Sequence, residues 1–286
     1  MKERVLITGI NGFLGKKLAE TLSSEFEVYG VYFKSSASET NFKVGRCDIR
    51  KLAEVKFVLD KVKPQRVYHL AALSDPNVCD RDAKLSKEIN YLASIQLAEL
   101  CADRKIKLVF TSTDLVFDGV KGHYSEQEAV NPLSRYGEQK VMVEEFLKET
   151  PGALICRMPL MYSTDLSNKR SMLSYIKEKI DKGQKVTLFT DEYRSAVNID
   201  CAAKALLLVA DVNEKVLHLG GPKRQSRYEM GCQIVEYLGL AKQYIIPCLQ
   251  KDVPMLAKRP ADVSLDSSLA QSQDIVAKTL LKSLVK

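Results

Sequence analysis

The sequence predicts an α/β fold built on a doubly wound parallel sheet, with a smaller lobe in the C-terminal half. Three observations support this prediction. Short, continuously apolar runs alternate with helical patterns over the first 158 residues, as in parallel strands that helices cover on both faces. Three glycines stand where the first strand passes into the first helix. Beyond about residue 159 the alternation becomes irregular, which indicates a second, smaller unit.

Five strand-like runs and four helical patterns make up the first part. In chain order, the runs are RVLIT, EVYGVYF, RVYHLAA, IKLVFTST and ALICRM. The first helix carries Leu14, Leu18 and Leu22 on one stripe, and the second, KLAEVKFVLDKV, ends before Pro64. A long helix is predicted from about 83 to 104, and a fourth over RYGEQKVMVEEFLKE.

Fewer strands are predicted in the second part of the chain, beyond about residue 159. A helix near 171–182 is followed by the strand KVTLF, the helix CAAKALLLVA, the strand VLHLGG and the helix RYEMGCQIVEYLG. The tail from Ser267 carries spaced leucines that predict a terminal amphipathic helix. We expect residues 1–158 to form the first domain, with 196–220 returning to it, and 159–286 to form mainly the second lobe. No flexible linker separates the two.

Composition excludes several classes of protein. The chain has 286 residues, of which 45% are hydrophobic, enough for a sizeable core. The net charge is +7, but basic and acidic residues are mixed along the chain, so no nucleic-acid surface is expected. No apolar run approaches the roughly 18 residues of a membrane helix, and no secretory signal is visible, so we expect a cytoplasmic protein that does not bind membranes. Seven scattered cysteines without CxxC spacing predict free thiols and no metal site.

The glycines predict a nucleotide site. Gly9 can make a tight turn, Gly12 can let a ligand approach the backbone, and Gly15 can let the helix pack closely on the strand. A helix that begins at the carboxyl edge of a parallel sheet directs free N–H groups and a partial positive charge at that space, which suits a pyrophosphate. We therefore predict a Rossmann-type dinucleotide site. The turn residues that belong to it are Gly9, Asn11, Gly12, Phe13, Leu14 and Gly15.

The end of the second strand bears on the choice of cofactor. A site selective for NAD usually places an acidic residue there for the adenosine ribose. No acid stands between Val28 and Ser38, where the chain has Lys34, Ser35 and Ser36. An ammonium and two hydroxyls suit a 2′-phosphate. The prediction is that NADP(H) is preferred, with NAD(H) as the alternative.

A tyrosine and a lysine four residues apart on a helix face the same way, and together they can deliver a proton to a carbonyl oxygen. Two pairs match this spacing, Tyr136 with Lys140 and Tyr175 with Lys179. The first pair begins the helix after a strand that ends in hydroxyl residues, so it can face the cofactor. The second lies on a lysine-rich helix without such a strand, and we interpret it as surface.

Together these motifs identify a family resemblance. TGINGFLG, STDLVFDG and YGEQK resemble the extended branch of the short-chain dehydrogenase/reductase superfamily, and more specifically its dTDP-4-dehydrorhamnose reductase group. Further along, GGPKRQSRYE and KRPADVSLD are similar to segments of the same group. The resemblance implies a nucleotide-sugar reductase of carbohydrate biosynthesis, so that the C-terminal lobe would bind substrate.

The resemblance also implies roles for individual residues. Thr113 would bind the substrate carbonyl, Tyr136 would donate the proton, and Lys140 would hold the nicotinamide ribose and lower the pKa of the tyrosine. Alignment on the VF that follows favours Thr113 over Ser112 as the catalytic hydroxyl. Further cofactor contacts are expected from Asp48, Ile49, Leu70, Ala71 and Ala72. Further substrate contacts are expected from Ser112, Asp114, Arg194 and Arg259.

One sequence position, the residue after Asp114, narrows the choice among the reactions of this branch. Dehydratases of this branch carry an Asp-Glu pair after the threonine, but here Asp114 is followed by Leu115. We therefore expect reduction of a 4-keto sugar nucleotide. Two alternatives remain: a sugar-nucleotide epimerase, and a cofactor-binding regulatory subunit that resembles the methionine adenosyltransferase β subunit. RMPLMYS departs from the Trp-containing segment of the reductases, which leaves the sugar open.

Relatives in this branch often form dimers through helices equivalent to 83–104 and 136–149. The chain has apolar residues there that could form a homodimer interface, namely Ile89, Leu92, Ala93, Leu100, Val143 and Phe146.

Overall fold

The computed structural model describes residues 2–34, 42–209 and 212–275. The strands are β1 (Arg4–Thr8), β2 (Glu27–Tyr32), β3 (Lys43–Arg46), β4 (Arg66–His69), β5 (Lys107–Thr113), β6 (Ala153–Met158), β7 (Met161–Tyr162), β8 (Val186–Phe189), β9 (Tyr193–Arg194), β10 (Val197–Asn198), β11 (Val216–His218), β12 (Gln225–Ser226) and β13 (Ile245–Cys248). The α-helices are α1 (Phe13–Leu22), α2 (Leu52–Val62), α3 (Pro76–Arg81), α4 (Ala83–Lys87), α5 (Ala93–Asp103), α6 (Arg135–Lys148), α7 (Met172–Asp181), α8 (Ile199–Leu208), α9 (Arg227–Tyr237) and α10 (Ser268–Ser272).

Seven strands form one parallel sheet in the order β3-β2-β1-β4-β5-β6-β11. The chain leaves β1 in one direction toward β2 and β3, and then crosses back to β4 on the other side. This order confirms the predicted doubly wound fold and puts its topological switch point between β1 and β4. The strand β11 comes from the C-terminal half and pairs with β6, from Val216 opposite Ile155 to His218 opposite Arg157.

The side chains of the strands alternate between two apolar layers. Val5 and Ile7 of β1 belong to the cluster that contains residues of α1 and α8, whereas Leu6 belongs to the cluster that contains residues of α2, α5 and α6. Because both faces of the sheet are covered in this way, its central strands are apolar throughout. The site must therefore lie at an edge of the sheet rather than on a face.

The helix predicted over 83–104 is not one continuous α-helix in the structure. It is divided into α4, a π-helical turn over Glu88–Leu92 and α5, and the preceding α3 was not predicted. The wide turn contains buried Asn90, whose side chain bonds both backbone groups of Leu73, at 2.8 Å to N and 3.0 Å to O. These bonds to Leu73 give a physical reason for the π turn, which hydrophobic periodicity does not reveal. Within the predicted interface, Ala93, Leu100 and Val143 are buried in the core, whereas Leu92 and Phe146 are exposed.

The C-terminal lobe has its own small core, made by α7, α9, β8 and β13. Short strand pairs, β7 with β10 and β9 with β12, connect the lobe to the main sheet. Of the predicted terminal helix, α10 is present, and residues 276–286 lie outside the described part of the chain. None of the helices described is both long and apolar enough to cross a membrane.

Candidate active site

Two connected crevices run along the carboxyl edge of the sheet at the switch point. The larger has a volume of about 790 Å³ and extends from the glycine turn into the C-terminal lobe. The smaller, about 300 Å³, lies over the ends of β2 and β3. The residues that line both are Gly9, Gly12, Leu70, Ala72 and Arg170. In open α/β sheets this is the place where ligands bind.

The glycine turn has no room for side chains. Gly9 has φ +72°, and a Cβ there would lie 2.9 Å from the Cα of Ala71. A Cβ on Gly12 would lie 2.9 Å from the carbonyl oxygen of Gly9, and one on Gly15 would lie 2.8 Å from the Cα of Ile10. Gly12 is also the N-cap of α1 and supplies no side-chain cap. The first turn of α1 therefore presents bare backbone N–H groups to the crevice, as an anion site requires.

A buried chain of hydrogen bonds fixes the opposite wall. The Ser94 hydroxyl donates to the carbonyl of Asn90 at 2.9 Å, so it accepts from Nε2 of His69, also at 2.9 Å. Nδ1 of His69 then accepts from Thr8 Oγ1 at 2.7 Å, and this oxygen accepts from the N–H of Ala71 at 3.2 Å. Burial lowers the pKa of His69 to about 3, so the ring is neutral. The chain of bonds holds the Leu70–Ala72 edge beside Gly9.

The predicted cofactor residues divide between the two crevices. Gly9, Gly12, Phe13, Leu14, Gly15, Leu70 and Ala72 line the larger, and Gly9, Asn11, Gly12, Asp48, Ile49, Leu70, Ala71 and Ala72 line the smaller. Lys34 is exposed and lines neither, while Ser35 and Ser36 lie outside the described residues.

Cations surround the mouth of the smaller crevice. The ring of Phe33, which lines it, has Lys34 Nζ at 5.9 Å, Arg46 at 5.9 Å and Arg50 at 5.2 Å. Arg50 also forks onto Asp48, with its Nη2 2.6 Å and its Nε 2.9 Å from the two carboxylate oxygens. This bidentate pair lowers the pKa of Asp48 and orients the side chain at the crevice wall.

The predicted catalytic trio meets in the larger crevice. Thr113 ends β5, and Tyr136 and Lys140 lie one helical turn apart on α6. Gly137 brings the start of α6 against the turn that follows β5, because a Cβ there would lie 2.8 Å from Pro132 Cβ and overlap the carbonyl oxygen of Leu115. The Thr113 hydroxyl interacts with the phenol of Tyr136 and lowers its pKa, but by less than burial raises it. By contrast, Tyr175, which is 49% exposed, and Lys179 line neither crevice.

The trio is deeply buried, and burial sets its protonation. Burial, followed by the negative charge of Asp114, raises the pKa of Tyr136, so the phenol keeps its proton at neutral pH. Burial lowers the pKa of Lys140 to about 7. Its Nζ donates to the carbonyl of Thr111 at 2.8 Å and lies 5.9 Å from the centre of the Tyr136 ring. The lowering of the tyrosine pKa that we expected from Lys140 is not produced by the described residues.

Ser112 takes part in a different set of contacts. Its hydroxyl donates to the carboxylate of Glu144, which also accepts from Arg157, with Nη2 at 2.7 Å. Nη1 of Arg157 lies 3.1 Å from Nε2 of His218, and because arginine can only donate, Nδ1 carries the imidazole proton. Nδ1 then donates to the carbonyls of Tyr124 and Asp266, at 3.0 and 3.1 Å. The Glu144–Arg157–His218 network thus ties β5, α6, β6 and β11 together beneath Thr113.

The lobe end of the larger crevice is rich in arginine. Asp114 is 3% exposed, and its Oδ1 accepts from Thr113 at 3.1 Å while its Oδ2 lies 3.5 Å from Arg194 Nε. Burial raises the pKa of Asp114 to about 6 in spite of this arginine. Arg194 also pairs with Glu192 at 3.2 Å. Arg259 lines the same end. All four predicted substrate residues, Ser112, Asp114, Arg194 and Arg259, therefore line this crevice.

Several residues of the site were not predicted from the sequence. They are Phe33, Arg46 and Arg50 at the smaller crevice, Arg170 at the junction, and Glu192, Arg227 and Met255 at the lobe end. The glycine, tyrosine and lysine motifs have a fixed spacing, whereas these side chains come from loops, from the end of β3 and, for Arg227, from the start of α9. Arg46 lies near the ring of Phe33 without lining the crevice itself. Arg46 and Arg50 lie on either side of Asp48 in the sequence. This local basic cluster is the one sequence signal from which these two arginines could have been predicted.

The chain is similar to a known family and to several known proteins. Residues 2–285 match the family described as RmlD substrate binding domain. Methionine adenosyltransferase 2 subunit beta of Danio rerio is 26% identical over 93% of this chain and 83% of that protein. The probable low-salt glycan biosynthesis reductase Agl14 of Haloferax volcanii is 26% identical over 93% of this chain and 91% of that protein. The crystal structure of a hypothetical dTDP-4-dehydrorhamnose reductase from Sulfolobus tokodaii superposes with a TM-score of 0.83 at 29% identity, covering 94% of each chain. These matches confirm the resemblance predicted from the motifs.

Proposed function

This chain belongs to the RmlD substrate binding domain family, and we propose that it is a reductase that uses NADPH to reduce the keto group of a 4-keto sugar nucleotide. One observation carries the proposal. A threonine, a protonated tyrosine and a buried lysine share a crevice that continues into a glycine turn shaped for a dinucleotide. The similarity to the reductases from Haloferax volcanii and Sulfolobus tokodaii supports the same reaction class.

The residues present fit a dinucleotide. The backbone cradle at Gly9, Gly12 and Gly15 would be filled by any Cβ, and the first turn of α1 would hold the pyrophosphate. Asp48 and Ile49 would contact the adenosine, and the Leu70–Ala72 edge would lie along the dinucleotide. When bound, NADPH would supply the hydride.

The chain's own residues would handle the proton. The Thr113 hydroxyl would hydrogen-bond the substrate carbonyl, and Tyr136 would donate its phenolic proton to the oxygen as charge develops there. The raised pKa of Tyr136 suits a proton donor, because the group is protonated before the reaction. Lys140, held at the carbonyl of Thr111, would bind the nicotinamide ribose and, when charged, stabilise the phenolate that forms.

The preference for NADPH rests on the smaller crevice. The described end of β2 carries no acidic side chain, and Lys34, Arg46 and Arg50 surround Phe33 at the mouth. Arg50 is already paired with Asp48, but the guanidinium of Arg46 can fork onto phosphate oxygens and Lys34 adds a positive charge, so these two residues would favour a 2′-phosphate over a free ribose hydroxyl. We expect kcat/KM to be at least tenfold higher with NADPH than with NADH, and equal values would refute the preference.

The substrate would lie toward the arginine-rich end. Arg194 and Arg259 could bind its diphosphate, and Asp114 could accept from a sugar hydroxyl. The same crevice would serve an epimerase, but an epimerase retains its cofactor through the cycle. Net consumption of NADPH therefore distinguishes the two.

The observation that supports the regulatory alternative is the similarity to methionine adenosyltransferase 2 subunit beta. In that role the chain would bind a methionine adenosyltransferase, and the trio would be dispensable. Stable co-purification with such an enzyme, together with unchanged NADPH levels across a panel of keto sugar nucleotides, would support the regulatory role instead.

The decisive experiment compares two tyrosines of the same spacing motif. NADPH oxidation is measured with a panel of 4-keto sugar nucleotides for the wild type, Tyr136→Phe and Tyr175→Phe. Loss of the proton donor should lower kcat by about 100-fold or more, while NADPH still binds. Tyr175→Phe should match the wild type, because that ring is outside the crevice. Equal turnover by Tyr136→Phe and the wild type would refute the proposal.

A further inference from the structure

The junction of the two crevices contains one charged side chain. Among the described residues that line both, Gly9, Gly12, Leu70 and Ala72 are uncharged, and Arg170 is the exception. Arg170 does not come from the sheet domain. It is far from Gly15 in the sequence and lies in the loop that leads into α7. The C-terminal lobe thus places a cation beside the glycine turn.

The loop that carries Arg170 is fixed at its base. The Ser171 hydroxyl donates to the carbonyl of Ser163 at 2.8 Å and accepts from the N–H of Ser163 at 3.2 Å. Ser171 is also the N-cap of α7, and the side chain of Asn168 accepts from the N–H of Arg170 at 3.2 Å. The backbone of Arg170 is therefore held between a closed loop and a helix start, although its side chain is exposed.

The side chain of Arg170 reaches from the crevice to the glycine turn. Nη1 of Arg170 donates to the carbonyl of Asn11 at 2.7 Å. Asn11 immediately precedes Gly12, the N-cap of α1, so the guanidinium lies beside the bare N–H groups of that helix. A guanidinium has five N–H donors in a planar fork, so the bond to Asn11 leaves others available for a ligand.

We propose that Arg170 is a ligand of the cofactor pyrophosphate and closes the dinucleotide groove from the lobe side. The proposal rests on the proposed function, since it requires a dinucleotide in the two crevices. The adenosine in the smaller crevice and the nicotinamide in the larger must be joined across the junction, and the joining group is the doubly charged pyrophosphate. Backbone N–H groups of α1 bind it from one side, and the fork of Arg170 binds it from the other. Arg170 is thereby distinct from Lys34 and Arg46, which serve the 2′-phosphate.

The test measures dissociation constants by titration. NADP⁺, NAD⁺ and 2′-AMP are titrated into the wild type, Arg170→Ala and Lys169→Ala. Lys169 is the matched control, because it is exposed on the same loop and lines neither crevice. We expect Arg170→Ala to raise the dissociation constants of NADP⁺ and NAD⁺ alike, by about tenfold or more, and to leave that of 2′-AMP unchanged. Lys169→Ala should match the wild type, and Arg170→Lys should be intermediate, because an ammonium keeps the charge but not the fork.

The possible failures are separable. If the wild type binds neither dinucleotide, the proposed function itself is wrong. If the wild type binds NADP⁺ and Arg170→Ala binds it as tightly as Lys169→Ala does, the role of Arg170 is wrong and the proposed function stands. An equal loss for 2′-AMP would place Arg170 at the adenosine instead and would also overturn the inference. Urea unfolding of Arg170→Ala should match the wild type, which verifies that the variant is folded.

Discussion

Replacing Glu144 by glutamine should strongly destabilise the protein, although Glu144 is not one of the reacting groups. The side chains of Glu144 and Arg157 are 1% and 2% exposed, and the carboxylate accepts from Nη2 of Arg157 at 2.7 Å and from Nε at 3.2 Å. In Glu144→Gln the guanidinium stays buried without the carboxylate that it contacts directly, beside the His218 ring and Phe117, and Glu126 remains as a weaker electrostatic partner. Removing one partner of a buried pair costs about 3–5 kcal/mol, a large share of the roughly 5–15 kcal/mol that keeps a domain folded.

The assay is urea unfolding of four proteins that form a double-mutant cycle. Glu144→Gln and Arg157→Met should each lower the free energy of unfolding, but the double variant should lose about 2 kcal/mol less than the sum of the two, because it leaves no uncompensated charge. Glu178→Gln is the matched control. It breaks an ion pair with Lys182 in which both side chains are more than half exposed, and its urea midpoint should equal that of the wild type. A loss below about 1 kcal/mol for Glu144→Gln, or strictly additive losses, would refute the reasoning.

Three further predictions concern the turn, acid stability and assembly. Gly15→Ala should abolish measurable NADPH binding in a fluorescence titration, because its Cβ would lie 2.8 Å from the Cα of Ile10, whereas Gly45→Ala, where no atom lies within 4 Å, should bind normally. His69 has a pKa lowered from 6.5 to about 3, so its neutral form contributes stability above pH 6.5 that is lost as the pH falls toward 3. The wild type should lose about 2 kcal/mol more than His69→Asn between pH 6.5 and 5 in urea unfolding, and equal slopes would contradict this. Exposed Leu92 and Phe146 should lie in a homodimer interface, so that light scattering gives twice the 32.1 kDa chain mass for the wild type and a single chain mass for Leu92→Glu. A monomeric wild type would exclude the dimer.

Much of the fold could be predicted because its determinants are local. The apolar run RVLIT, the Leu14–Leu18–Leu22 stripe and the three glycines each specify a nearby strand, helix or turn. The π turn could not be predicted, because its Asn90 bonds Leu73, seventeen residues away in the chain. Strand β3 is not among the five strands predicted in the first part, since an edge strand needs no continuous apolar sequence.

The residues of the candidate site likewise divide into those fixed by local sequence and those fixed by tertiary packing. Tyr136 and Lys140 could be paired because a helix fixes their spacing, and Thr113 because it ends the preceding strand. Arg170 could not be paired with Asn11, since only tertiary packing brings these residues together. The pKa of Tyr136 was also beyond sequence reasoning, because its direction depends on how deeply the ring is buried.

The position of β11 at the end of the sheet has a consequence for how the polypeptide is made. Strand β6 is complete at Met158, but the neighbour that covers its edge, and the His218 ring that accepts from Arg157, are translated only after α7, β8 and α8. A nascent chain that has reached residue 158 therefore carries an uncovered strand edge, which can pair with other chains. The nucleotide-binding half should consequently reach its final stability only once residue 218 has left the ribosome, and a gene fragment that stops at 158 should yield an aggregation-prone product.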